Sequence, residues 1–214
     1  MSRRRFTGDR LMLATHNRGK VDEFAILLRP RGVAVLSAGD LGLAEPEETE
    51  DSFAGNALIK ARAAVAATGL PALSDDSGLV VPALDGAPGI HTARWAGPAR
   101  DFDMAMERVA EALRRRYGGF AAADARAEFV AVLCLAWPDG HAELYEGRCA
   151  GTLVEHPRGG HRFGFDPMFV PRGETRTFAE MDPVEKHRFS HRGRAVQALL
   201  AGSFAERPCD EAAP

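Results

Sequence analysis

The sequence predicts an α/β protein with a mixed sheet flanked by helices. Two observations point there. Across residues 11–113 short apolar runs alternate with stretches of helical periodicity, the pattern of strands interleaved with helices. Two long strand-like segments, 127–137 and 142–154, then flank Pro138, Asp139 and Gly140, a strong hairpin signal. An antiparallel meander added to interleaved strands cannot give a purely parallel sheet.

The elements follow in order. Residues 11–14 read as a buried strand running into the polar turn at Thr15, His16 and Asn17. Over residues 20–28, Val21, Phe24, Ala25, Leu27 and Leu28 recur at helical spacing, and Pro30 with Gly32 ends that helix. Residues 33–36 give a second strand, and residues 45–51 an acidic loop. Ser52 then caps an alanine-rich helix, residues 53–67, which stops near Gly69 and Pro71. Leu73 leads into Asp75 and Asp76, with a turn expected at Ser77 and Gly78 before a strand resumes at 79–81. Residues 84–98, rich in Gly and Pro, read as loop. Asp101 opens a helix with Phe102, Ala105, Met106, Val109 and Leu113 on one face. After the hairpin comes a basic glycine loop, 158–162, and a last helix over residues 193–200.

A chain of 214 residues can bury a sizeable core as one domain. Its net charge of −3 supplies no global field toward nucleic acid or membrane, so a polyanionic ligand needs a local cluster of cations. No apolar run approaches the roughly 18 residues of a membrane helix. Cys134, Cys149 and Cys209 share no metal-ligand spacing and read as reduced thiols of a cytoplasmic protein. Residues 1–10 lack the apolar core of a signal peptide, so Arg3, Arg4 and Arg5 are expected in a flexible, solvated extension; residues 205–214 are expected to be a tail.

Three groups of residues carry chemistry. Thr15, His16, Asn17, Arg18, Gly19 and Lys20 lie where a strand hands over to a helix, which points backbone N–H groups at an anion. The spacing is not that of a Walker A loop, and alone such a turn is commonly just solvated. Asp75 and Asp76, with Glu45, Glu47 and Glu48 upstream, offer hard oxygen donors for Mg²⁺ and an acceptor for a proton from water. Phe163, Gly164, Phe165 and Asp166 could set a ring over a flat base, although a Phe pair is more often core. Lys186, Ser190, His191, Arg192 and Gly193 add cations and donors in a segment too polar and glycine-rich to read as core.

These motifs, in this order over residues 11–201, resemble the inosine triphosphate pyrophosphatase family, which hydrolyses non-standard purine nucleotides. The resemblance implies an elongated mixed sheet with helices, in two lobes with the site in the cleft between them, spanning residues 11–204. It implies Mg²⁺-dependent cleavage of ITP, dITP or XTP to the monophosphate and pyrophosphate, and a homodimer. It places Asn17, Lys20 and Lys60 at the phosphates, Glu47, Asp75 and Asp76 at the metal, and Asp76 as catalytic base. Ser77, Phe163, Phe165, Lys186, His191 and Arg192 become substrate contacts. His191, Arg192 and backbone N–H donors suit a 6-oxo purine and oppose the amino group of adenine. The chain departs from the family at Gly55, where a glutamate is usual. That glutamate would close a capping box with Ser52, so the helix start is expected to lose about 1 kcal/mol. Two other readings stay open at this point: a Maf-type pyrophosphatase of different base specificity, and a nucleotide sensor that does not turn over.

Overall fold

The computed structural model describes residues 3–204. Among them six strands form one sheet in the order β2-β1-β3-β4-β5-β6: β1 (Arg10–Leu13), β2 (Ala34–Ser37), β3 (Ala72–Val80), β4 (Arg126–Ala136), β5 (Ala142–Leu153) and β6 (Phe169–Pro171). β1 pairs in parallel with β2 and β3, while β6 runs antiparallel to β5, so the sheet is mixed as the sequence predicts. The helices are α1 (Arg18–Leu28), α2 (Phe53–Thr68), α3 (Thr92–Trp95), α4 (Phe102–Tyr117), α5 (Pro183–His187) and α6 (His191–Ser203).

Local chemistry explains the boundaries. Asn17, Ser52 and Asp101 cap α1, α2 and α4 by accepting backbone N–H groups three residues on. Gly69 (φ 66°) and Gly118 (φ 76°) end α2 and α4 in the left-handed conformation that glycine adopts without strain. The β4–β5 hairpin closes as Trp137 N–H donates to the His141 carbonyl at 2.9 Å.

The chain divides into two compact units. One comprises the residues up to Asp76, Val132–Tyr145 and those from Val196 onward; the other comprises Ser77–Ala131 and Glu146–Ala195. In the first, Met12, Ala64 and Ala72 pack with Leu36, Val65 and Leu70. In the second, the apolar face of α4 (Ala105, Met106, Val109, Ala110, Leu113) packs with Leu79, Phe129, Phe165, Phe169 and Phe178.

Three expectations are corrected. The turn at Ser77 and Gly78 does not form: β3 runs unbroken from Ala72 to Val80. β3 lies between β1, which pairs with it at Ala72 and Leu73, and β4, and this strand pairing overrides the local turn preference of Asp-Ser-Gly. Residues 84–98 are not plain loop, since short 3₁₀ turns and α3 lie within them. There the Thr92 hydroxyl donates to the Gly89 carbonyl and accepts the Leu79 N–H. Nor do Arg3, Arg4 and Arg5 fray. Phe6 is buried against Phe204, and its N–H donates to the Ser203 carbonyl at 2.6 Å. The Arg3 guanidinium sits 4.2 Å from the Tyr145 ring centroid, Arg4 lies 4.8 Å from that of Trp137, and Arg5 reaches the Phe204 carbonyl. Cation–π contacts and one buried ring hold the segment, and composition alone does not reveal such partners. Cys134 and Cys149 are buried thiols, and burial pushes Cys134 up to about 12; Cys209 and the expected 205–214 tail lie outside the described residues.

Candidate active site

The first unit gathers carboxylates and lysines around the middle of β3. Successive strand residues face opposite ways, so Asp75 and Asp76 meet different partners. Lys20, in the first turn of α1, places its Nζ 3.3 Å from Asp75 Oδ1. Lys60, two turns into α2, donates to Asp76 Oδ1 at 2.6 Å, to Glu48 Oε1 at 3.1 Å and to the Asp75 carbonyl at 3.2 Å. The snorkelling that a mid-helix lysine usually adopts is thus replaced by a half-buried ammonium serving two carboxylates.

Burial is the largest influence on both members of the Lys60–Asp76 pair. It pulls the ammonium down, but attraction from Asp76 and then Glu48 more than offsets it, and Lys60 ends above its ordinary value. Burial raises Asp76, Lys60 lowers it in part, and the net shift is upward. A raised carboxylate favours the protonated folded state, so its contribution to stability is full below the unfolded pKa and lost as pH rises through the folded one. Lys60 stays charged across that window. In metal-free buffer containing EDTA, Asp76→Asn should therefore gain thermal stability relative to the parent as pH rises from 4 to 7. Melting curves at several pH values check this, and a pH-independent difference would contradict it.

The phosphate-turn residues separate into two sets. The Thr15 hydroxyl accepts the Asn17 N–H, and Asn17 and Lys20 face the start of α1. His16 instead bonds the Leu43 carbonyl and pairs with Glu45, and Arg18 forms an exposed ion pair with Asp40. Gly19 lies on the exposed first turn. Glu47 is exposed, whereas its neighbour Glu48 faces Lys60; nothing in the acidic run distinguishes the two by sequence.

Gly55 has a physical reason. A Cβ there would lie 2.5 Å from Glu50 Cβ and 2.6 Å from its Cγ, so Glu50 already occupies that space. The Glu50 N–H donates to Asn56 Oδ1, and Ser52 Oγ still accepts the Gly55 N–H at 3.1 Å. The expected cap therefore forms without a glutamate at 55, and the acidic loop packs directly on α2.

The second unit holds the aromatic and basic motif. Phe163 is 44% exposed, while Phe165 is 1% exposed and stands edge-on to Phe102 in the core. The ring available for stacking is that of Phe163, and Gly164 (φ 59°) turns the chain between the two. Lys186 ion-pairs with buried Asp166, and its Nζ lies 5.3 Å from the Phe163 centroid and 5.4 Å from that of Phe178. Arg192 donates to Ser77 Oγ at 3.1 Å, with its guanidinium 5.8 Å from the Phe163 centroid. Asp166, Ser190, His191 and Arg192 are all buried, contrary to the polar, non-core reading of this segment. Asp166 pairs with Lys186, Ser190 Oγ accepts the Gly193 N–H and Arg192 donates to Ser77, the kind of pairing under which polar groups enter a core. Phe129, which no motif signals, stacks on His191.

The residues around Asp76 fit a hard cation such as Mg²⁺. Asp76 Oδ2 is buried without a hydrogen-bond partner, although Oδ1 is engaged by Lys60. A buried, unbonded carboxylate oxygen beside a second carboxylate suits a hard cation. Among the described residues no three His, Cys, Asp or Glu side chains are grouped as a metal cage, so water and substrate oxygens would complete the shell.

The chain is similar to known proteins along nearly its whole length. The chain is 58% identical to a dITP/XTP pyrophosphatase of Rhodospirillum centenum, covering 94% of this chain and 98% of that one. It is 56% identical to a dITP/XTP pyrophosphatase of Gluconobacter oxydans, covering 94% and 93%. The structure of a HAM1 protein from Coxiella burnetii superposes with a TM-score of 0.82 at 36% identity, covering 90% of this chain and 96% of that one. Residues 11–202 match the Ham1 family, and the chain belongs to it.

Proposed function

We propose that this protein hydrolyses non-standard purine nucleoside triphosphates (ITP, dITP and XTP) to the monophosphate and pyrophosphate, with Mg²⁺. A Ham1-family chain with dITP/XTP pyrophosphatases among its relatives is a hydrolase of nucleoside triphosphate anhydrides, cleansing the nucleotide pool. The observation that carries the finer reading is the cluster of Asp76, Lys60, Glu48, Lys20 and Asp75, with one Asp76 oxygen left unbonded.

Asn17, Lys20 and Lys60, with the N-terminus of α1, hold the triphosphate. Asp76, Asp75 and Glu47 or Glu48 hold the cation, which supplies charge neutralisation at the phosphate oxygens when bound. Asp76 accepts the proton of a water whose oxygen attacks the α-phosphorus. The bond from that phosphorus to the bridging oxygen breaks, and pyrophosphate leaves. Without the cation, burial holds the Asp76 carboxyl above its ordinary range, the direction that suits a proton acceptor. Phe163 stacks on the base, and Lys186, His191 and Arg192 present donors to the 6-oxo edge.

Hydrolysis in ¹⁸O-water tests the point of attack. Label in the monophosphate is expected, and label in pyrophosphate would refute attack at the α-phosphorus. Phe163→Leu should raise KM for ITP and ATP alike by about 5–150-fold, the value of one lost stack, because stacking does not tell bases apart. Steady-state kinetics with both substrates decides, and an effect on ITP alone would remove Phe163 from the stacking role. A substrate drawn from the cell's nucleotide pool supports a cytoplasmic enzyme, and the family resemblance implies a homodimer.

A further inference from the structure

His191 is the donor on which the base preference above depends, and its surroundings in the second unit are unusually constrained. On one side is Phe129 of β4, whose ring lies 4.6 Å from the imidazole, only 13° from parallel. Phe129 is itself wedged by Phe169 (4.6 Å) and Phe178 (6.0 Å). On the backbone side, α6 begins directly against β5 at Gly147. A Cβ at Gly147 would come 2.1 Å from the His191 carbonyl oxygen and 2.4 Å from the Ala195 nitrogen. Contacts that short do not exist, so any side chain at 147 must push the first turn of α6 away.

We propose that Phe129 and Gly147 are the positioning residues that set base specificity, by fixing the ring plane and the backbone of His191. This inference rests on the proposed function. A hydrogen-bond donor rejects an amino group only if it cannot swing aside: an imidazole free to rotate would let adenine exchange one poor contact for water. Phe129 covers one face, so any hydrogen bond from the imidazole must lie in the ring plane that Phe129 sets, and Gly147 sets the backbone from which the ring projects. A fixed donor facing the adenine amino group leaves two donors opposed, a mismatch that can discriminate by about 10⁴-fold, whereas a mobile one forfeits most of it.

The test compares kcat/KM for ITP and ATP in the parent, Phe129→Leu and Gly147→Ala. In both variants the ITP-to-ATP ratio is expected to fall by about 10-fold or more, through loss on ITP with ATP little changed. A purely structural role would lower both substrates by the same factor, and an unchanged ratio in a folded variant overturns the proposal. If Gly147→Ala fails to fold, Phe129→Leu, a hydrophobic exchange that removes only the ring, decides. A variant-free measurement decides independently: the ring protons of His191 should show an upfield NMR shift from the Phe129 ring current that persists when ITP binds. Loss of that shift on binding also overturns the proposal. A parent enzyme with no ITP preference would instead sink the functional reading and this inference with it.

Discussion

Asp76→Asn should lower kcat for ITP by about 10²–10⁴-fold while leaving nucleotide affinity within a few-fold. Asp76 lies mid-strand in β3, 7% exposed, with one oxygen held by Lys60 and the other unbonded. An amide keeps the shape and can still meet Lys60 through its carbonyl, but it cannot accept the proton of the attacking water. Lys60 retains Glu48 as a charged partner, so the phosphate cluster should not collapse. Steady-state kinetics together with binding of ITP to the inactive variant checks both halves. Unchanged turnover would remove Asp76 from the chemistry, and lost binding with it would make Asp76 a structural residue.

Lys186→Met carries the largest expected cost in stability. The Asp166 carboxylate is 3% exposed and pairs with the Lys186 ammonium. Removing the ammonium takes the ion-pair partner from a buried carboxylate, which costs about 3–5 kcal/mol. At the low end of that range the melting temperature should drop by about 6–12 °C for a chain of this size. Adding Asp166→Asn removes that carboxylate charge and should recover much of the loss. Thermal denaturation of both variants measures it; a single variant as stable as the parent would show that Asp166 has adequate support elsewhere. KM for ITP should rise in both, since Lys186 also faces the Phe163 ring.

Much of this was legible in the chain because the signals are local. The helix starts at Ser52 and Asp101 and the hairpin at residues 138–140 each depend on residues a few positions apart, and each appears where expected. What escaped is set at long range. The turn preference at Ser77 and Gly78 yields to sheet neighbours supplied by distant strands. Arg3, Arg4 and Phe6 look like tail until Tyr145, Trp137 and Phe204 are brought to them. Gly55 reads as a loss until Glu50 is seen filling its place. At the site, sequence supplied the residue types, but it could not show that Glu48 rather than Glu47 meets Lys60, that Phe163 rather than Phe165 is the exposed ring, or that Phe129 backs His191.

The most direct test of the account is product analysis of the purified protein with Mg²⁺ against ITP, XTP, GTP, ATP and dUTP. Pyrophosphate is expected, released strongly from ITP and XTP and weakly from GTP and ATP. Orthophosphate as the product, equal rates on ATP, or tight binding of ITP without turnover would contradict it.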